Sequence, residues 1–226
     1  MFDAHRHFRS ESKMSLNALF ATSRQNQWSH LDDLQGQAVA GVGALADDTL
    51  PSAEVLETFL RLHPSFQIAE VGLDKRFPSI EDQTQFLEDV LQIAYQLDRS
   101  VSLHCVRSDG YLLSLLQKRK QRLPRILWHG FTASFEIATQ AARLGIILSY
   151  GPRLHTSKLA KEGRRLVEIP YALETDFDDE DESGYEQLLS EHLYKFSSLC
   201  SLSEDQIIRN NDDIRTILTN QQTVGK

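Results

Sequence analysis

Short apolar runs alternate with longer segments of helical periodicity along the 226-residue chain. Each apolar run is five to eight residues long and rich in β-forming residues, which predicts a β-strand. The eight candidate strands cover residues 1–5, 17–22, 38–44, 66–73, 100–106, 125–131, 145–151 and 171–177. The longer segments between the later strands predict helical segments near residues 79–98, 108–119, 134–144 and 157–167.

The helix predicted over 79–98 has the clearest pattern. The stretch "SIEDQ" gives it a polar start with acidic residues in the first turn, which is typical of a helix N-terminus. Its apolar positions recur at helical spacing, at Phe86, Val90, Leu91, Ile93, Ala94 and Leu97.

Eight strands, most of them followed by a helix, predict an α/β fold of the (β/α)8 TIM-barrel class with a parallel sheet. The connection between the first two strands is short for a helix, so we expect irregular early βα units. The segment 203–218 predicts one or two helices packed outside the barrel. A chain of 226 residues is long enough for a single barrel domain spanning 1–226.

Composition and charge narrow the class of protein. Hydrophobic residues make up 41% and charged residues 25% of the chain, as in ordinary globular proteins. The net charge of -8 argues against a broad basic surface for nucleic acid, although it permits a small local patch. The two cysteines, Cys105 and Cys200, have no paired spacing, so we expect reduced thiols.

We find neither a signal-peptide pattern nor an apolar run near the roughly 20 residues of a membrane span. We therefore expect a cytoplasmic protein, and we predict no obligate protein partner.

Residues of the types that bind metals fall at the carboxyl ends of several predicted strands, where barrels carry their active sites. Imidazole and carboxylate together suit zinc, manganese, iron or nickel better than calcium or a site for magnesium alone, and magnesium stays among the candidates. Six such residues exceed the ligands of one tetrahedral ion, so we expect two divalent ions. The six are His5, His7, Glu70, His104, His129 and Asp176.

Simpler interpretations exist for each residue alone. His5 and His7 would fit a solvated terminus, and His104 and His129 would fit hydrogen-bonded core histidines. Their common position at successive strand ends favours metal binding. Glu70 lies inside an apolar run, where an unpaired carboxylate is costly to bury, so a metal partner is the better interpretation.

Other polar residues near these positions have roles that the pattern leaves open or assigns to packing. Period-two geometry puts Asp3 on the face of His5 and His7, where it either orients a histidine or satisfies backbone donors. Cys105 follows His104 in the same strand, and adjacent strand residues point to opposite faces. We therefore expect Cys105 to face the helices as a small core residue rather than act as a nucleophile. The remaining histidines are interpreted as surface residues, namely His30, His63 and His192.

Five segments in order resemble the motifs of TatD-type metal-dependent hydrolases, a branch of the amidohydrolase-like TIM barrels. "FDAHRH" is similar to a D-x-H-x-H opening and "EVGLD" to an E-x-G-L-D segment. "LHC" contains the fifth-strand histidine, "HGFTAS" is similar to H-x-F-x-x-S, and "ETD" contains the last aspartate. The family includes metal-dependent deoxyribonucleases, and the resemblance extends from residue 3 to residue 176.

The resemblance implies a specific division of the ligands. One ion would be held by His5, His7 and Asp176, and a second by His104 and His129. Glu70 would bridge the two, in the position where related amidohydrolases use a carboxylated lysine. A metal-activated water would attack a phosphorus or carbonyl centre, with Asp176 as general base and Glu70 as the second catalytic carboxylate.

The sequence departs from the family pattern beside these ligands. Val106 stands where members commonly have an arginine, and Arg107 follows it. Gly43 in "GVGA" stands where a histidine is usual, and "FDDEDE" replaces the proline and aromatic residue after "ETD". These changes affect the walls around the ligands and therefore the substrate.

Substrate contacts are expected from basic residues after the fifth and seventh strands. Arg107, Arg153, His155 and Lys158 either bind a substrate phosphate or are ordinary surface residues. The acidic run 178–182 is either a solvated loop, a recruiter of cations or a feature that discourages anionic substrates.

The sequence therefore predicts a divalent-metal-dependent hydrolase acting on phosphodiesters, with DNA ends or a small phosphodiester or ester as substrate. The alternative is amidohydrolase-type cleavage of a C–N or C–O bond in a small molecule, which the net charge and the acidic run favour. A barrel that has lost activity and acts as a binding protein is the third possibility.

Overall fold

The computed structural model describes residues 1–9 and 16–220. Eight strands form one sheet in the order β1 to β8, and each neighbouring pair is parallel. The predicted barrel is thus confirmed. The strands are β1 (Asp3–His7), β2 (Ala18–Ala21), β3 (Val39–Val42), β4 (Gln67–Asp74), β5 (Val101–Val106), β6 (Ile126–Trp128), β7 (Ile147–Tyr150) and β8 (Tyr171–Leu173).

Helices follow most of the strands from β3 onwards. They are α1 (Ala53–Leu62), α2 (Ile80–Leu97), α3 (Asp109–Lys118), α4 (Phe135–Ala142), α5 (Tyr185–Cys200) and α6 (Glu204–Thr219). None of these six helices combines the length and the apolar character needed to cross a bilayer.

The early units are irregular, as predicted. No α-helix lies between β1 and β2 within the residues described there, and a 3₁₀ segment over Gln25–Asp33 connects β2 to β3. The helical segment predicted over 157–167 is present, but it is not an α-helix. That region is a 3₁₀ segment over Lys158–Val167, interrupted at Gly163, where φ is 53° and ψ is -123°. Such angles are outside the helical range and are accessible to glycine.

The barrel is closed beside the predicted ligands. Asp176 N donates to His5 O at 3.0 Å, and His7 N donates to Phe177 O at 2.9 Å. These backbone hydrogen bonds join β1 to the segment that follows β8. We call this junction the seam, and two of the six candidate ligands, His5 and His7, lie on one side of it with Asp176 on the other.

The opposite end of the barrel is covered by α6. Ile214 and Leu218 of this helix belong to the same buried cluster as Phe2, Leu19 and other interior residues of the strands. Asn211 fixes the helix to the backbone, because its amide accepts from Leu173 N and donates to Phe2 O and Leu173 O. The N-terminal end is therefore sealed, and the opposite mouth is the end available to a substrate.

A β-bulge in β4 determines where Glu70 points. The register between β4 and β5 shifts between Ala69 and Val71, and Glu70 has a left-handed φ of 61°. Gly43 lies against this bulge so closely that a Cβ there would be 1.8 Å from Ala69 O. The glycine that replaces the family's usual histidine is thus required by this backbone.

Helix α5 contacts the barrel through a buried histidine. His192 is 1% exposed, and its Nε2 donates to Tyr150 O at 2.7 Å. Its Nδ1 lies 2.8 Å from Nε2 of His155. The prediction that His192 is a surface residue is therefore wrong, because the helix presents it to the carbonyl that ends β7. His30 is exposed, and His63 is partly buried against Phe59.

The close approach of Gly43 to the bulge gives a first prediction. Gly43→Ala should lower the free energy of unfolding by about 2–3 kcal/mol, because Ala69 O and the bulge must move. Gly110→Ala in α3 is the matched control, since a Cβ there meets no atom within 4 Å and alanine favours a helix. Urea unfolding of the two variants checks this, and equal stability of both would contradict the role of Gly43.

The burial of His192 gives a second prediction. Burial lowers its pKa from 6.5 to about 4, because the protonated ring would lose its water. The unfolded chain then binds more protons between those pH values, so this contribution is complete above pH 6.5 and is lost as the pH falls to 4. Relative to His192→Gln, the wild type should lose about 3 kcal/mol of stability over that interval. Parallel pH–stability curves for the two proteins would contradict this.

Candidate metal centre

Glu70 is the centre of the predicted ligand set. Its Oε1 lies 2.8 Å from His129 Nε2 and 3.1 Å from His5 Nε2. Its Oε2 lies 3.6 Å from His104 Nδ1. Three imidazoles from β1, β5 and the end of β6 therefore surround one carboxylate from the middle of β4.

His7 and Asp176 complete the set across the seam. His7 Nε2 lies 3.3 Å from Asp176 Oδ1, and that oxygen lies 4.0 Å from His129 Nδ1. All six predicted ligands are therefore brought together. Three overlapping groups have ligand atoms within 4.8 Å of one another, namely His5–His7–Glu70, Glu70–His104–His129 and His5–His129–Asp176.

The polar atoms at the centre fit divalent ions. His5 Nε2 and both oxygens of Glu70 are buried without a hydrogen-bond partner, although nitrogen and oxygen atoms face one another at short distances. An unsatisfied buried carboxylate is costly, and a cation bound between these atoms would remove that cost. Imidazole nitrogens with carboxylate oxygens are a common donor set for zinc, manganese and iron.

Both predicted catalytic carboxylates are held by an unusual backbone conformation. Glu70 has φ 61° and Asp176 has φ 51°, in the left-handed region that residues other than glycine rarely adopt. Such strain is typical of functional sites, where the surrounding structure maintains it. Here the bulge in β4 holds Glu70, and the seam hydrogen bond from Asp176 N holds Asp176.

The orientation of His5 is fixed from behind. Its Nδ1 lies 2.8 Å from Ser102 Oγ, which leaves Nε2 directed at Glu70. The ring is also stacked on that of His129, with centroids 3.9 Å apart. A partner on the second ring nitrogen is the usual way in which proteins orient a ligating imidazole.

Asp74, which was not predicted, contacts the second ring nitrogen of His104, as Ser102 contacts that of His5. Its Oδ2 lies 3.2 Å from His104 Nε2, and both of its oxygens accept from Arg76. Burial raises the pKa of Asp74, but the hydrogen bonds from His104 and Arg76 outweigh it and hold the pKa below its ordinary value. The sequence signal was present, since Asp74 is the last residue of "EVGLD" and ends β4.

Glu174 is the second residue that sequence reasoning missed. It is fully buried, and its Oε1 accepts from Gly130 N at 2.6 Å and lies 3.7 Å from His129 Nδ1. Strand periodicity would have found it, because alternate positions place Glu174 on the face of Asp176.

The pKa directions describe mutual stabilisation between Glu70 and two of the imidazoles around it. Burial would raise the pKa of Glu70, but the charges of His129 and His104 outweigh it and lower the pKa well below 4.5. Burial would likewise lower the pKa of His129 and His104, but the Glu70 carboxylate raises both above 6.5. Glu70 thus attracts positive charge, as a carboxylate at a cation site must.

Two further predictions about polar residues can now be compared with the structure. Asp3 accepts from His5 N, Thr175 N and Oγ1, and Tyr185 Oη, so it satisfies local donors rather than orienting an imidazole. Cys105 packs against the core between barrel and helices, where burial raises its thiol pKa. Neither residue has the environment of a nucleophile.

One of the four expected substrate-binding residues lies at the ligand set. Arg153 Nη2 donates to Asp176 Oδ2 at 2.7 Å, and the Arg153 side chain is 72% exposed. His155 contacts His192 instead. Arg107 and Lys158 are exposed and make no ion pair within the described part of the chain. A cavity of about 210 Å³ beside Arg153 is lined by Gly130, Thr132, Gly151, Glu174, Asp176 and Leu188.

The acidic run 178–182 is tied to the barrel by ion pairs at both ends. Asp178 pairs with Arg9 and lies 3.9 Å from His7 Nδ1. Glu182 pairs with Arg6, a fully buried residue whose guanidinium lies 4.3 Å from the centre of the Tyr185 ring. The run therefore neutralises basic residues of β1 and its extension, which a freely solvated loop would not do.

Comparisons with known proteins agree with this architecture. Residues 2–207 match the family described as TatD related DNase. An Escherichia coli protein named as the uncharacterized metal-dependent hydrolase YjjV is 30% identical over 152 residues, which cover 64% of this chain and 58% of that protein. A protein of Edwardsiella piscicida named 3'-5' ssDNA/RNA exonuclease TatD is 30% identical over 99 residues, 43% of this chain and 38% of the exonuclease. The matches thus span about 58% and 38% of those relatives' lengths.

Solved structures show the same fold. The crystal structure of the TatD homologue YjjV from Escherichia coli superimposes with a TM-score of 0.81 at 20% identity, covering 98% of both chains. An amidohydrolase from Saccharomyces cerevisiae superimposes with a TM-score of 0.63 at 15% identity, covering 89% of this chain and 88% of that one. Because the sequence match runs from the first strand into the last helix, the chain belongs to the TatD related DNase family.

Proposed function

We propose that this protein is a divalent-metal-dependent hydrolase that cleaves phosphodiester bonds at single-stranded nucleic acid ends. The observation that carries the proposal is the buried Glu70 carboxylate, which has no hydrogen-bond partner while imidazoles surround it. The substrate class is supported by Arg153 at the mouth and by the name of the exonuclease relative. The net charge of -8 favours a strand end over a long duplex.

The proposed division of the metal ligands is the one that the family resemblance implies. His5, His7 and Asp176 would hold one ion, His104 and His129 the other, and Glu70 both. The groups His5–His7–Glu70 and Glu70–His104–His129 are compatible with it, whereas His5–His129–Asp176 combines residues assigned to both ions. When bound, the ions supply Lewis acidity and lower the pKa of a water molecule towards 7.

The protein's own groups supply the remaining steps. The pKa of Asp176 is lowered, because the hydrogen bond from His7 and nearby histidine charges outweigh burial, so Asp176 is ionised, which is the protonation state that a general base needs. Arg153 donates from Nη2 to Asp176, and the rest of its guanidinium is exposed. This arrangement suits Arg153 to orient a substrate phosphate beside Asp176. Arg107, His155 and Lys158 stay predictions for more distant parts of a strand.

A small-molecule ester or amide is the second candidate substrate. The specific observation in its favour is the cavity of about 210 Å³, beside which the acidic run begins. Such a site would accept a compact substrate without a long anionic chain. Parallel assays on an amide panel and on oligonucleotides distinguish the two substrate classes.

Removal of the proposed base should strongly reduce activity while leaving the fold intact. Asp176→Asn should reduce cleavage of a single-stranded oligonucleotide by about 10²–10⁴-fold, because both proton transfer and a metal ligand are affected. Asp179→Asn is the matched control, since Asp179 is exposed and three residues further on. Assays with added manganese, zinc or magnesium measure the effect. Undiminished activity of Asp176→Asn would contradict the proposed role.

Metal affinity provides a test that does not depend on activity. Ser102→Ala should weaken metal binding by about 10–100-fold, because His5 loses the partner on its second nitrogen. Ser149→Ala is the control, because Ser149 is equally buried on β7 and its hydroxyl has no partner. Competition with a chromophoric chelator on metal-stripped protein gives both affinities. Equal affinities would mean that Ser102 does not orient a ligand.

A further inference from the structure

A cavity far from the candidate ligands is lined only by cationic and amide side chains. Its volume is about 600 Å³, and it lies where α3 ends and a short 3₁₀ turn over Lys120–Arg122 begins. No carboxylate is among its lining residues in the described part of the chain. We call it the basic cavity, and its four cations are Lys118, Arg119, Lys120 and Arg122.

The protein itself does not neutralise these charges. None of the four cations forms an ion pair with a residue that the structure describes. The Arg119 side chain donates from Nη2 to the neutral Oε1 of Gln92 at 3.3 Å, and its Nε is buried without a partner. The acid at the adjoining end of α2, Asp98, accepts from Arg125 and Asn220 instead. A concave site with uncompensated positive charge favours an anionic ligand.

The segment that carries the cations is held in place by the fold. Leu116 is buried in the core before it, and Leu123 packs against the core after it. Arg119 N donates to Leu116 O at 3.1 Å, and Arg122 N donates to Arg119 O at 2.8 Å. The segment therefore differs from a flexible basic tail, and less conformational entropy is lost when it binds an anion.

The basic cavity and the candidate metal centre lie at opposite ends of α3. This helix begins at Asp109, just after β5 reaches the mouth, and its ten residues span about 15 Å towards the closed end. The acidic run 178–182 lies at the mouth, on a chain whose net charge is -8. A long anion is therefore attracted more strongly at the closed end than beside the acidic run.

The lining groups indicate a partner that carries phosphates. Guanidinium and ammonium groups bind phosphate oxygens, and the amides of Gln92, Gln117 and Gln121 can add hydrogen bonds. The volume lies within the roughly 300–1,000 Å³ of sites for drug-sized ligands, a size that includes a nucleotide. An anionic bilayer fits less well, because the lining has no apolar side chain that could enter it.

We propose that the basic cavity is a second binding site for a single nucleic acid strand, which it holds by the phosphate backbone while one end of the strand reaches the mouth. The choice of this partner rests on the proposed function. Binding is electrostatic and independent of base sequence, because no aromatic side chain lines the cavity to stack on a base. A short strand uses the metal centre alone, whereas a strand long enough to pass along the barrel uses both sites.

The salt dependence of binding tests this proposal. Fluorescence anisotropy of a labelled strand of about 20 thymidines, longer than a typical single-strand site, is measured with a chelator present to prevent cleavage. The triple variant Lys118→Gln, Lys120→Gln and Arg122→Gln should lower the slope of log Kd against log salt by about 2, since each phosphate contact contributes about 0.7. Affinity at about 0.1 M salt should fall by about 10–100-fold.

The matched control makes the same change in net charge at exposed cations of other elements. It is the triple variant Lys161→Gln, Arg164→Gln and Arg209→Gln, whose slope should equal that of wild type. Equal slopes for the two triple variants would overturn the proposal. So would pyrophosphate that competes as well as an unlabelled strand, or binding to phosphatidylserine vesicles without binding to the strand.

Cleavage in the presence of manganese separates this inference from the proposed function. The Lys118, Lys120 and Arg122 variant should raise KM for the long strand by about tenfold, while kcat and the cleavage of a dinucleotide stay within about twofold of wild type. Cleavage of the long strand with an unchanged KM would overturn this inference alone. A strand that binds through the basic cavity and is never cleaved would overturn the proposed function alone.

Discussion

The burial of one negative charge organises the mouth of this barrel. Glu70 stands in the middle of β4, where its carboxylate would be strongly unfavourable without positive neighbours. His104 and His129, whose pKa values are raised, provide them at 3.6 and 2.8 Å from its oxygens, and the ring of His5 lies at 3.1 Å. Those rings are held in turn by Ser102 and Asp74, so the arrangement extends into the strands around them.

The backbone is adapted to the same carboxylate. Glu70 reaches the interior because β4 bulges, and the bulge has room because Gly43 has no side chain. The left-handed backbone conformation of Glu70 is energetically unfavourable and lies in the proposed metal centre. Such strain is common at functional sites. Stability is supplied elsewhere, by α6 at the closed end and by the packing of helices around the strands.

The barrel, and the position of six candidate ligands at one mouth of it, could be predicted from the sequence, because local patterns show where strands end. The sequence did not reveal features that depend on contacts between distant segments. Asp74 and Glu174 carry local sequence signals, but their contacts with His104 and His129 are known only when the strands are assembled. His192 is buried because α5 meets the end of β7. Similarly, helical spacing over 157–167 did not reveal that Gly163 interrupts the segment. The composition of the acidic run 178–182 could not show that Glu182 pairs with Arg6, because the two residues are far apart in the sequence.

The seam has a consequence for how the protein is made. Because His5 and Asp176 meet only across the closure of the barrel, the first ligands leave the ribosome long before their partner is synthesised. Helix α6, which binds both Phe2 and Leu173, emerges later still. A nascent chain therefore holds an incomplete set of the six candidate ligands until most of it has been translated, and the proposed metal centre can assemble only in molecules whose barrel has closed.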